Sequence, residues 1–299
     1  MRRSILASLV VSSGLALAIA GCGANSSGSG SGSGKSGAAS GGGGVKVGVI
    51  LPETATSARW AGFDAPMLKK ALQQRGMSPI IQNAQGDTQK FSQIADSMLS
   101  QHVKVLIVAA PTGDSGAAVE QKAKQQGVPT IDYDRLNLGG SANYYVSFNN
   151  EKVGELQGKA LATALKGKPG AQVIEIEGSP TDNNATLFHE GQEKILKPLY
   201  DSKKLVKVGS QAIDGWDNQK GGQTFEQLLT ANGGKVDGVL AANDGLAGAI
   251  ITVLRKDGLA GKVPVTGQDA TADGLSAILR GQQYSTVFKP IQQEADATA

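Results

Sequence analysis

The chain has 299 residues, 40% of them apolar and 4% aromatic, with a formal charge of +3. That is enough apolar chain for two modest domains, each burying a core, and it excludes a disordered protein. So small a net charge gives no electrostatic case for nucleic-acid binding, and a single cysteine excludes a disulfide framework.

Residues 1–21 read as a secretion signal: Arg2 and Arg3, an apolar stretch over 5–20, then Ile19-Ala20-Gly21-Cys22 with small residues before the cysteine. Cys22 is expected to carry a lipid and become the mature N-terminus. The protein would then lie outside the cytoplasm, attached to the membrane through that lipid alone. Residues 22–44 are almost all Gly, Ser, Ala and Asn, the composition of a tether. A flexible chain of about 22 such residues spans roughly 25 Å.

From Val45 the pattern changes to short β-branched runs alternating with longer amphipathic stretches. Strands are predicted over 45–51, 79–82, 103–109 and 128–133, with helices over 59–76, 88–101 and 114–126 between them. "VKVGVIL" and "VKVLIVAA" lack polar alternation at their centres, as strands buried on both faces of a parallel sheet do. A second series follows "YYVSFNNEKVGE", with helices over 151–165, 185–200, 219–231, 246–256 and 274–280. Its strands are predicted over 172–176, 207–212, 236–242, 263–266 and 284–288. The reading is an α/β protein of two lobes, 45–147 with 290–299 and 148–289, each a mostly parallel sheet flanked by helices.

Open α/β sheets bind ligands outside the carboxyl ends of their strands. Polar clusters stand there in turn: "YDR", "GSPTDNN", "DGW", "ND", "GQDA" and Lys289. The side chains so collected are Arg59, Asp134, Arg135, Asp182, Asn184, Asn243, Asp269 and Lys289, with Trp60 and Trp216 the only tryptophans. Carboxylates, amides and guanidinium groups fork across neighbouring hydroxyls, and an indole stacks on the apolar face of a pyranose, so the set has the chemistry of a sugar site. Each position also has a plainer reading. Asp182, Asn183, Asn184 and Asn243 suit helix caps or turns, Trp60 a core residue, and Lys289 a solvated charge.

The stretches "SARW", "YDR", "SFNNEKVGELQGKAL", "GSPTDNNA", "DGW", "AANDGLAGAI", "GQDA" and "GQQYSTVFKP" resemble, in order and spacing, the D-xylose-binding branch of the periplasmic sugar-binding proteins that serve ABC importers. The resemblance covers residues 45–299. It implies that Arg59, Asp134, Arg135, Asp182, Asn184, Asn243, Asp269 and Lys289 hydrogen-bond a monosaccharide, with Trp216 and Trp60 as stacking surfaces. It also implies a monomeric hinge-bending clamp with no cofactor, no metal and an ABC permease as partner. Two features depart from the pattern. His189 stands where the family commonly has a basic residue after "NNAxLF", so a neutral imidazole could bond the sugar without supplying a fixed charge. The resemblance also implies a further segment beyond Ala299.

Three functions follow for weighing: delivery of a sugar to a permease, presentation of a sugar to a chemoreceptor or sensor kinase, and glycoside hydrolysis by an aspartate pair. The cationic and amide partners would keep these aspartates ionised, which leaves no proton donor for hydrolysis. His102 and His189 stand apart, without the spacing of a zinc site.

Overall fold

The computed structural model describes residues 44–299. The secretion signal, Cys22 and the Gly/Ser tether as far as residue 43 lie outside the described residues.

Five parallel strands form the first sheet: β1 (Val45–Leu51), β2 (Met77–Asn83), β3 (Val105–Val108), β4 (Thr130–Tyr133) and β5 (Tyr144–Val146). Their order across the sheet is β2-β1-β3-β4-β5. Alternation along the strands sends side chains to both faces. Ile50 and Val108 join Phe91, Ile94 and Met98 of α2 (Thr88–Ser100) and Val119 of α3 (Gly113–Gln125). Val49, Leu51 and Ile107 face the other way, onto Leu68 and Leu72 of α1 (Ala65–Gln74). Both faces are thus covered, as the continuous apolar runs require.

The second sheet comprises β6 (Ala171–Glu177), β7 (Leu205–Ala212) and β8 (Gly238–Ala241), all parallel, in the order β7-β6-β8. Val173 and Leu240 pack against Leu161 of α4 (Asn150–Ala164) and Leu196 of α5 (Asn183–Asp201). Ile174, Ile176, Val239 and Ala241 pack against Phe225 of α6 (Asn218–Ala231) and Ile250 of α7 (Asp244–Lys256). Helices α4 and α5 touch closely. A Cβ on Gly154 would lie 2.0 Å from the Phe188 carbonyl, and one on Gly191 as close to that of Glu151.

Four local expectations change. The helix expected over 59–76 opens with a π-helical turn, Trp60–Asp64, before α1. The strand expected over 263–266 is reduced to two isolated bridges, Val265 to Val239 and Val263 to Ala260, because Pro264 has no N–H with which to continue the ladder. The one expected over 284–288 is reduced to a bridge from Val287 to Gln268, with Tyr284 and Phe288 exposed. Asn183, expected as a turn residue, is the first residue of α5. Beyond α8 (Ala272–Leu279) the chain ends in α9 (Ile291–Thr298), which packs against α1 and β5 of the first sheet.

Candidate functional site

The carboxyl ends of the strands deliver their polar side chains to one place. Glu53 follows β1, Asp134 and Arg135 follow β4, Asp182 and Asn184 follow β6, Trp216 follows β7 and Asn243 follows β8. With Arg59, Trp60, Asp269 and Lys289 they line a single cavity holding about 340 Å³ of space not filled by atoms, part of it continuous with solvent. All ten residues expected to meet a sugar lie on its wall.

One wall is organised by Arg59. Its Nε and Nη2 donate to the two oxygens of Asp64 at 3.0 and 2.7 Å, and Nη1 donates to Asp134 Oδ2 at 2.8 Å. Nη2 also reaches Glu294 Oε2 at 3.1 Å, and the Tyr133 hydroxyl donates to Asp64 Oδ1. Burial works against charge on Arg59, but Asp134, Asp64 and Glu294 outweigh it and hold the guanidinium pKa well above its usual value. Burial would likewise raise Asp134, yet Arg59, Lys289 and Arg135 pull its carboxyl below the usual range. Glu294 goes the other way. Burial and the neighbouring Asp134 push it up to about 9. The indole of Trp60 lies beneath two cations, with Arg59 Cζ 4.4 Å and Arg135 Cζ 5.2 Å from the ring centre.

The opposite wall is organised by Asp182. It is the N-cap of α5, accepting from Asn184 N at 2.9 Å. Its other oxygen accepts from Trp216 Nε1 at 3.1 Å and lies 2.9 Å from Arg135 Nε. Cap and site residue are therefore one side chain, and Asn243 repeats the arrangement by capping α7 through Leu246 N at 2.8 Å. The indole of Trp216 meets Phe188 edge-on at 6.4 Å and is backed by Gly178, where a Cβ would come within 2.2 Å of the ring. Lys289 closes the floor, 3.0 Å from Asp269 Oδ1 and within 6 Å of the Phe148 and Phe188 rings.

Residues of the two sheets meet directly across the cavity. Besides the Arg135–Asp182 pair, Asn184 Nδ2 donates to Asp134 Oδ1 at 3.0 Å, and Asn218 Nδ2 donates to the Thr56 carbonyl at 3.2 Å. Backbone geometry is unusual at several of these positions. Asp134, Trp216, Asp269 and Ala270 have φ of 63°, 59°, 94° and 47°, in the left-handed region.

Three polar atoms on the cavity wall are buried and unpartnered: Glu53 Oε1, Thr56 Oγ1 and Gln268 Oε1. A ligand rich in hydroxyls offers donors to the two acceptors and either role to the threonine. No group of three or more His, Cys, Asp or Glu among the described residues is placed to hold a metal ion, and none of their helices is long and apolar enough to cross a membrane.

His189, whose imidazole could have added a further contact, lies apart from these ten. It sits on α5 with Nδ1 3.5 Å from Glu177 Oε2 and its side chain 39% exposed, outside the cavity lining. The residue one place earlier, Phe188, points inward and lines the wall. Glu53, Thr56, Ser57, Phe188 and Gln268 are lining residues that sequence reasoning missed. Glu53 carried a readable signal, since "PET" directly follows β1, and Gln268 adjoins Asp269 in "GQDA".

A family model described as periplasmic binding protein domain matches residues 47–299. The D-xylose-binding periplasmic protein of Escherichia coli (strain K12) is 38% identical over 255 residues, covering 85% of this chain and 76% of that protein. The multiple sugar-binding periplasmic receptor of Rhizobium radiobacter is 37% identical over 268 residues, covering 84% and 75%. Among solved structures, an ABC transporter solute-binding protein from Clostridium phytofermentans with bound β-D-glucose is similar with a TM-score of 0.77 at 30% identity, covering 85% of this chain and 82% of that one. The α/β lobes, the cavity at their strand ends and these matches lead to one conclusion: the chain belongs to the periplasmic binding protein family.

Proposed function

We propose that this protein captures a monosaccharide between its two lobes, D-xylose before other sugars, and delivers it to an ABC importer while anchored outside the cell membrane by a lipid on Cys22. It is a binding protein, not an enzyme. The observation that carries the proposal is the composition of the cavity: three cations, four carboxylates, amides and two indoles around a space suited to one ring. Binding at micromolar strength needs about 8 kcal/mol. Hydrogen bonds to charged groups contribute roughly 1.5–3 kcal/mol each, so several of them with one stacked indole reach that value after the cost of closing the lobes. The relative named for D-xylose puts that sugar first, and the solute-binding protein holding β-D-glucose makes a hexose the alternative to test against it. In this reading the lobes, 45–147 with 290–299 and 148–289, hinge about residues 147–149 and 288–290 as a monomer.

A sugar-dependent signalling role is the second reading, favoured by the Rhizobium radiobacter relative being described as a receptor. One experiment tests the binding step common to both. A thermal-shift screen against D-xylose, D-glucose, D-ribose, L-arabinose and D-galactose should raise the midpoint for D-xylose, because a ligand that binds only the folded state stabilises it. A flat profile across the five sugars rules the reading out. Transport and signalling then separate by sugar uptake in cells lacking this protein, which falls if it serves an importer.

A further inference from the structure

The sugar cavity is not the largest space between the sheets. A second space of about 900 Å³, like the inner 340 Å³ partly continuous with solvent, adjoins it as an outer chamber. Glu53, Thr56, Arg135 and Trp216 line both, so they form the boundary between the two spaces. Two of these four bear unpartnered buried atoms. Glu53 is only 6% exposed, and its Oε2 accepts from Thr56 N at 2.8 Å while Oε1 has no partner. Thr56 Oγ1 is likewise unpartnered. A carboxylate oxygen and a hydroxyl are thus held at the boundary without a protein partner, where burial makes an unmet bond costly.

The outer chamber has its own character. Ala55, Pro111 and Gly215 give it small apolar surfaces, while Thr112, Thr181 and Asp214 add polar groups. Apolar patches among hydroxyls and a carboxylate match the two-sided chemistry of a pyranose ring better than that of a purely aromatic substituent. We propose that the outer chamber receives a second sugar unit, so that the protein binds a disaccharide of the sugar it takes as a monosaccharide. Glu53 Oε1 and Thr56 Oγ1 then bond hydroxyls near the glycosidic link. The inference rests on the sugar-binding reading above and extends it from one ring to two.

The test compares D-xylose with xylobiose by calorimetry in the intact protein and in Ala55→Trp. Ala55 is exposed and lines the outer chamber alone, so an indole there obstructs a second ring and leaves the inner wall untouched. The expected result is one-to-one binding of both sugars by the unaltered protein. In Ala55→Trp, xylobiose should weaken at least tenfold while D-xylose is unchanged. Thr181→Phe, also confined to the outer chamber, should repeat the pattern and guards against a local misfolding of the first variant. D-xylose binding without xylobiose binding overturns the second unit alone. Xylobiose binding that both variants leave intact overturns it as well. Loss of both sugars from the unaltered protein removes the monosaccharide reading and this inference with it.

Discussion

Gly178 does not itself line the cavity, so replacing it by alanine isolates the contribution of one indole without substituting a lining residue. Its added Cβ would lie 2.2, 2.4 and 2.7 Å from three ring carbons of Trp216. Ordinary contact begins near 3.4 Å, so the ring must retreat by about 1.2 Å. A rigid indole cannot bend away as a lysine tip would. Retreat pulls Nε1 from Asp182, now 3.1 Å away, and a bond to a charged acceptor contributes roughly 1.5–3 kcal/mol. Overpacking of this kind costs about 1–3 kcal/mol of stability, which lowers the melting midpoint by several degrees in a protein of this size. Because the indole is also a cavity wall, the affinity for the sugar should fall about 10- to 100-fold, or about 1.4–2.8 kcal/mol. Thermal unfolding and calorimetry on Gly178→Ala measure both effects. Gly248→Ala serves as the control, since its Cβ meets nothing within 4 Å on helix α7. Unchanged affinity in Gly178→Ala would falsify the role given to Trp216.

Two further outcomes follow from the charged walls. Asp182→Ala and Arg135→Met should each lower stability, the first by about 1 kcal/mol through the lost cap alone, and a double-mutant cycle should return a coupling of about 0.5–3 kcal/mol. Strict additivity in denaturant melts would mean that the 2.9 Å contact carries no energy. Glu294→Gln tests the raised carboxyl pKa. Glu294 has its pKa raised from 4.5 to about 9, so between those values the folded protein holds a proton that the unfolded chain has released, and stability falls as pH rises. Glutamine does not titrate, so the decline of the melting midpoint from pH 5 to 9 should be shallower in the variant. Parallel curves would place the proton elsewhere.

The parallel strands were legible because burial on both faces leaves a short, unbroken apolar run, and β1 fell on its expected residues. Strand β5 was not foreseen. It has three residues at the sheet edge, with Tyr144 and Tyr145 exposed, and so carries no burial pattern. The strands expected over 263–266 and 284–288 failed for the complementary reason: apolar residues mark burial, but only paired N–H and C=O groups make a ladder. Most of the cavity wall was readable because strand ends converge in this architecture. Phe188 escaped, since an apolar residue on an amphipathic helix looks like core whether it faces a core or a ligand. The double duty of Asp182 was also hidden. A cap and a site residue have the same sequence signature, and only the fold brings Trp216 Nε1 and Arg135 to its second oxygen.

The left-handed backbone at Asp134, Trp216, Asp269 and Ala270 sets a limit on how this protein could be improved. Such conformations cost of order 1–3 kcal/mol each in a residue with a side chain, and glycine relieves most of it. Selection for thermal robustness alone would therefore drift toward glycine at these corners and remove the carboxylates and the indole that face the cavity. Stability and recognition compete at the same backbone positions here, so a stabilised form that still binds should carry its substitutions in the outer helices and leave the strand ends unchanged.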